Sequence, residues 1–137
     1  MASLLFNYPL TTRMHDIDAA GVMFFARFFY HIHDAYEEFL NHHGQSIKHI
    51  LSSEIILPIS HTEADFKAPV FLNETIHIEI SLQKIAVDNF ILNYQFIDSS
   101  GKIRAAVQTH HVCLNSNSKQ RQTLPEAIHQ LLTKGVN

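Results

Sequence analysis

Thr75-Ile76-His77-Ile78-Glu79-Ile80-Ser81-Leu82-Gln83 alternates polar and apolar residues without a break. A period of two is the pattern of a strand with one buried face. The next set, Phe90, Leu92, Tyr94 and Phe96, keeps the same period. Asp98-Ser99-Ser100-Gly101 supplies turn-forming residues, and Ile103 to Leu114 reads as the returning strand. Phe90 to Leu114 is therefore expected to be a hairpin. Glu54 to Phe66 reads as a further strand, weakened by Pro58, and Leu5 to Met14 as another.

One long helix interrupts this series. Phe25, Phe28, Phe29, Ile32, Tyr36, Phe39 and Leu40 recur at three- and four-residue spacing, and Phe24 and Ala35 broaden the stripe. A helix this aromatic is expected to be covered on most sides. Gly44 is placed to end it. Ser46 to Leu51 suits a short second helix, and Leu124 to Lys134 a C-terminal one with Pro125 in its first turn. One strand, one long helix and then consecutive strands define an α+β fold. An antiparallel sheet of about five strands is expected to wrap around the helix. Such a sheet leaves edges and an outer face to cover, so a homo-oligomer, a dimer or a tetramer, is expected.

Composition narrows the function classes. The 137 residues are 46% hydrophobic and 17% charged, which excludes a disordered chain and fits a single domain over residues 1–137. The net charge of -3 provides no basic excess for a nucleic-acid backbone. Cys113 is the sole cysteine, so no internal disulfide is possible and a reducing compartment fits. Met1 to Tyr8 does not read as a signal peptide. The apolar run from Gly21 to Tyr30 is broken by Arg27 and is too short to span a bilayer. A cytoplasmic protein without membrane insertion is expected.

The densest polar cluster is Arg13-Met14-His15-Asp16-Ile17-Asp18-Ala19-Ala20-Gly21, immediately before the aromatic helix. A carboxylate here lies beside the unpaired N–H groups of a helix start. Those donors suit a developing oxyanion, and a carboxylate can attack a carbonyl or activate water. The simpler reading is that Asp16 or Asp18 caps the helix. Spacing alone favours capping.

Asp16-Ile17-Asp18-Ala19-Ala20-Gly21-Val22-Met23-Phe24-Phe25 resembles the signature of the 4-hydroxybenzoyl-CoA thioesterase family of hotdog proteins. The resemblance extends through Tyr36 and Glu37, Phe66-x-Ala68-Pro69 and the strand at Ile76. Within the family, Val107-Gln108-Thr109-His110-His111-Val112-Cys113 and Leu57-Pro58-Ile59-x-His61, with Asp65, are similar to the branch that hydrolyses 1,4-dihydroxy-2-naphthoyl-CoA. The resemblance implies a hotdog fold and hydrolysis of an acyl-CoA thioester, in phylloquinone or menaquinone synthesis if the branch holds. It assigns catalysis to Asp18, as nucleophile or general base, and the oxyanion to the backbone N–H of Phe25. Gly21 is implied to permit close backbone approach, and Asp16 to support the loop. No metal or redox cofactor is implied, since CoA is part of the substrate.

Other residues are assigned more loosely. Phe24 is a candidate to stack on an aryl acyl group, His61 to line the acyl pocket or bond a ring hydroxyl, and Asp65 with Glu63 to form a polar pocket wall from a neighbouring subunit. The basic cluster that founding members use for CoA phosphates is absent from Lys84 to Asn89, leaving Lys67, Lys102, Arg104 and Arg121 as candidates. Among 11 histidines, His31/His33 and His110-His111 are poor metal pairs, because their spacing points them to different faces. Two further functions are weighed beside aryl-CoA hydrolysis. One is a broad thioesterase for short or medium acyl chains. The other is a non-catalytic hotdog module that binds acyl-CoA or an acyl carrier.

Overall fold

The computed structural model describes residues 4–45 and 47–134. In chain order it contains β1 (Leu4–Thr11), a single 3-10 turn (Met14–Asp16), α1 (Phe25–His42), α2 (Ile47–Leu51), β2 (Ile55–Ile56) and β3 (Ile59–Phe66). Then follow β4 (Thr75–Ile85), β5 (Asn89–Asp98), β6 (Ile103–Val112), β7 (Leu114–Asn115) and α3 (Glu126–Lys134). The main sheet has five antiparallel strands in the order β1-β4-β5-β6-β3, and β2 pairs with β7 at one end.

Alternation builds the core. Ile76, Ile78 and Ile80 on β4, Phe90, Leu92, Tyr94 and Phe96 on β5, and Ala105 and Val107 on β6 are all buried. They face α1, which buries Phe28, Ile32, Ala35, Tyr36, Phe39 and Leu40. Phe28 stacks edge-on against Phe96, with ring centroids 5.0 Å apart, and Phe39 meets Phe6 of β1 at 6.0 Å. Each such buried aromatic contributes about 1.5–3 kcal/mol. α3 closes one end with Ile128, Leu131 and Leu132. No helix among the described residues is long and apolar enough to cross a membrane.

The structure refines several expectations. The first strand ends at Thr11 rather than Met14, because Thr12 turns inward and Asp16 closes a 3-10 turn onto the Arg13 N–H. The segment from Glu54 to Phe66 is two strands, split at Leu57-Pro58 where proline lacks a ladder donor. Within one chain a face of α1 stays open: Phe25 and Tyr30 are 58% and 60% exposed, while Phe28 in the same first turn is buried against Phe96.

Candidate active site

The loop that carries the acidic motif is closed by backbone and side-chain bonds at both ends. Thr12 is fully buried; its hydroxyl donates to the Phe71 carbonyl at 2.6 Å and accepts the Glu74 N–H at 3.0 Å. Asp16 is also fully buried. Its Oδ2 accepts the Arg13 N–H at 2.8 Å, and its Oδ1 lies 2.9 Å from Arg27 Nε and 2.8 Å from His31 Nε2. Its carbonyl accepts the Phe24 N–H at 2.9 Å. Asp16 thus ties the start of the loop to its end and to the first two turns of α1. Burial pushes its carboxyl upward, but the Arg13 N–H, Arg27 and His31 outweigh burial and hold it below the ordinary carboxylate range.

Asp18 sits in a tighter turn. Its N–H donates to Val22 O at 2.9 Å, and its carbonyl accepts the Gly21 N–H at 3.0 Å. Its Oδ1 accepts the Ala20 N–H at 2.8 Å, leaving a half-buried carboxylate with capacity to spare. Gly21 takes φ +82°, a left-handed conformation that favours glycine. The chain then runs along the end of the sheet, where the Met23 N–H donates to Val70 O at 2.7 Å, and enters α1.

Neither aspartate caps α1. The N-cap is Phe24, which offers no side-chain acceptor. The Arg27 N–H turns back to Phe24 O at 2.8 Å, whereas the Phe25 N–H has no partner among the described residues. An unpaired first-turn N–H carries the positive end of the helix dipole.

Asp18 and Phe25 line one cavity of about 430 Å³. Phe24, Phe28, Phe66, Lys67 and Pro69 complete much of its wall. The rings are mutually braced, Phe24 on Phe25 at 4.8 Å and Phe28 on Phe66 at 5.0 Å. The arrangement pairs a carboxylate with a free backbone donor at the rim of an aromatic pocket. That is the equipment for attack on a carbonyl carbon and retention of the resulting oxyanion. Nothing in it presents a dedicated metal-ligand set.

Asp18, Phe24 and Phe25 share this cavity, and Gly21 lies in the turn that holds Asp18. His61 and Asp65 do not join them. Phe66 and Ala64 pair with Ala105 and Val107, which face α1, so His61 and Asp65 occupy the outer face. His61 lies beside Glu63, and Asp65 lines a separate polar hollow with Asn93 and Gln108. Within one chain the sheet stands between these two residues and Asp18. Phe66 and Lys67 stand side by side in the cavity wall. The Phe66-x-Ala68-Pro69 motif was the signal for them.

The basic candidates also separate. Arg104 is spent on structure: its guanidinium meets Glu74 Oε2 and Asp98 Oδ2 at 2.8 Å each and donates to Pro69 O at 2.6 Å. The Lys67 and Ala68 N–H groups donate to the Arg104 carbonyl at 2.9 and 3.0 Å. Arg121 pairs with Asp88 at 3.3 Å. Lys67 is exposed at the cavity wall and has no ion pair among the described residues. Cys113 is buried, and burial pushes its thiol up, which makes it a poor nucleophile.

A fold and a site of this kind define a hotdog thioesterase domain. Residues 12–132 match the model of the thioesterase-like superfamily, and the chain belongs to that family. It is 35% identical over 128 residues to the 1,4-dihydroxy-2-naphthoyl-CoA hydrolase of Nostoc punctiforme, covering 93% of this chain and 86% of the relative. It is 33% identical over 134 residues to the protein of the same name from Rippkaea orientalis, covering 96% and 97%. Among solved structures, the 1,4-dihydroxy-2-naphthoyl-CoA thioesterase of Synechocystis superposes with a TM-score of 0.87 at 28% identity, covering 93% and 94% of the two chains.

Proposed function

We propose that the protein is an acyl-CoA thioesterase whose substrate is an aryl thioester, 1,4-dihydroxy-2-naphthoyl-CoA foremost. The observation that carries the reading is the shared cavity of Asp18 and the unpartnered Phe25 N–H, walled by Phe24, Phe28 and Phe66. The names of the relatives support the acyl group, and aromatic walls suit a fused bicyclic ring.

In this mechanism the thioester carbonyl oxygen accepts the Phe25 N–H. The Asp18 carboxylate adds to the carbonyl carbon, or takes a proton from the water that adds. The tetrahedral centre collapses, the C–S bond breaks and CoA leaves as its thiolate, which takes a proton from solvent water or, along the second route, from the Asp18 carboxyl. Along the first route the mixed anhydride is then hydrolysed at Asp18. The Phe25 dipole gains most when charge sits on the oxygen, so it acts on the transition state rather than on binding. Gly21 holds the turn that aims Asp18, and Phe24 stacks on the ring. Lys67 meets a phosphate of the CoA moiety. The chemistry requires no metal or redox cofactor.

The same reading includes a homo-oligomer formed along β3. That strand ends the sheet, none of its eight residues is buried, and Ile59 and Phe66 are 43% and 48% exposed. A second copy adding its own β3 would cover the edge and the exposed ring of Phe66. Cytoplasmic residence fits a CoA substrate and the free thiol of Cys113.

The test is thiol release from a panel of dihydroxynaphthoyl-, hydroxybenzoyl-, phenylacetyl-, butyryl- and hexanoyl-CoA, with wild type beside Asp18→Asn. Release confined to aryl substrates and reduced roughly 10³-fold in the variant is expected. Equal rates on butyryl-CoA would establish a broad thioesterase instead. Tight binding without release from any member would establish a ligand-binding module.

A further inference from the structure

We propose that His61, Glu63 and His110 form a binding site for a borderline divalent cation of the Zn²⁺ type, on the face of the sheet opposite α1. The three offer ligand atoms that all lie within 4.8 Å of one another. Within one chain the sheet separates this site from Asp18, and its metal affinity is measured apart from thioester hydrolysis.

A backbone irregularity creates the cluster. Ile59 pairs with His111, but His61 pairs with His110, so β3 carries a bulge at Ser60. Without the extra residue His61 would oppose Thr109, whose side chain is buried beneath α1. The bulge instead turns His61 outward beside His110, with ring centroids 4.8 Å apart and planes at 78°. Glu63 follows two residues on, on the same face, and its Oε1 lies 3.1 Å from His61 Nε2.

A side-chain network holds the second histidine. His110 Nε2 lies 2.8 Å from Gln108 Oε1. The amide nitrogen of Gln108 donates to Gln83 Oε1 and to Asn93 Oδ1, so its oxygen is the end that faces His110. His110 therefore carries its proton on Nε2 and presents the Nδ1 lone pair. A ligating imidazole usually donates its second N–H to a carboxylate, a backbone carbonyl or water, and the Gln108 oxygen takes that place here.

The donor set selects the ion. Two imidazoles and one carboxylate suit Zn²⁺, Ni²⁺ or Cu²⁺ and not the all-oxygen preference of Ca²⁺ or Mg²⁺. With metal–ligand bonds of about 2.0–2.2 Å, tetrahedral ligand atoms stand roughly 3.4 Å apart. The observed spread closes by side-chain rotation alone, since His61 and Glu63 are more than half exposed. Water completes the coordination. Bound there, the ion would fasten β3, the outermost strand, to β6.

The experiment uses chelator-treated full-length protein titrated with ZnCl₂ by calorimetry, and with CoCl₂ by visible absorption. Wild type is compared with His61→Ala, His110→Ala, the double variant, and His129→Ala, an exposed histidine elsewhere. One equivalent of Zn²⁺ is expected to bind wild type and His129→Ala alike, and about tenfold or more weaker to each single cluster variant. Zn²⁺ should raise the Tm of wild type and not that of the double variant, while all variants share the Tm of the metal-free protein. Unchanged Zn²⁺ binding in the double variant, or no binding to wild type at millimolar ZnCl₂, would overturn the proposal.

Discussion

Asp16 and His31 lie fifteen residues apart in the chain, and their side chains meet at 2.8 Å inside it. The same carboxylate oxygen also receives Arg27 from the neighbouring helical turn. The first aspartate of the motif is thus a brace, and the second, two residues on, is open to the cavity. Asp16→Asn keeps an acceptor for the Arg13 N–H but removes the charge that Arg27 and His31 address. Breaking one partner of a buried pair costs about 3–5 kcal/mol. Asp16→Asn is therefore expected to lower Tm strongly, and Asp18→Asn to leave it near wild type while abolishing turnover. Thermal unfolding of both variants checks the division. Equal Tm values would remove Asp16 from the bracing role.

A second expectation concerns acid. His111 is 1% exposed, stacked on Phe90 at 4.7 Å and close to Tyr36. Its Nδ1 donates to Leu57 O at 3.3 Å, and Thr109 Oγ1 lies 2.9 Å from its Nε2. Burial depresses its pKa to about 4 against the Leu57 bond, with His33 and His110 adding to the depression. The folded state therefore refuses a proton that the unfolded chain accepts below about 6.5. Stability should fall as pH drops from about 6.5 to about 4, by roughly 3 kcal/mol from this residue. Urea unfolding at a series of pH values measures the slope. His111→Gln should flatten it across that window, and an unchanged slope would locate the acid sensitivity elsewhere.

Lys67 separates the two ends of the substrate. It stands at the cavity wall, while Arg104 and Arg121 are held by carboxylates. Lys67→Ala should raise KM for CoA thioesters several-fold to tenfold, with kcat little changed, since one exposed charge contact contributes about 1 kcal/mol. Thioesters of pantetheine lack the nucleotide phosphates, so their KM should not move. The wild-type KM for CoA thioesters should also rise with salt. An equal KM increase on both substrate types would instead assign Lys67 to the shape of the pocket wall.

Much of this was legible in the sequence because the elements are strongly periodic. Ile76, Ile78 and Ile80 and the Phe28 to Leu40 stripe have no alternative that buries them as well. The Asp18 and Phe25 pairing was legible only through the family motif, since residue spacing alone favoured capping. His61 illustrates the limit. Whether a strand histidine faces the helix or the outer surface depends on one bulged residue, Ser60, and no local pattern marks it. Arg104 is similar. Its partners Glu74 and Asp98 lie 30 and 6 residues away, so its role as a clamp depends on pairing that only the folded sheet creates.

That clamp has an implication for how such a pocket changes over generations. The Phe66 to Pro69 turn is held by N–H groups donating to the Arg104 carbonyl and by the Pro69 carbonyl accepting its guanidinium. At Lys67 the fastening runs through the main chain, so the Lys67 side chain bears no share of it. Position 67 is free to be exchanged while the turn keeps its place. A lineage can thus retune what the cavity accepts by altering this lining residue, with the Asp18 loop left undisturbed.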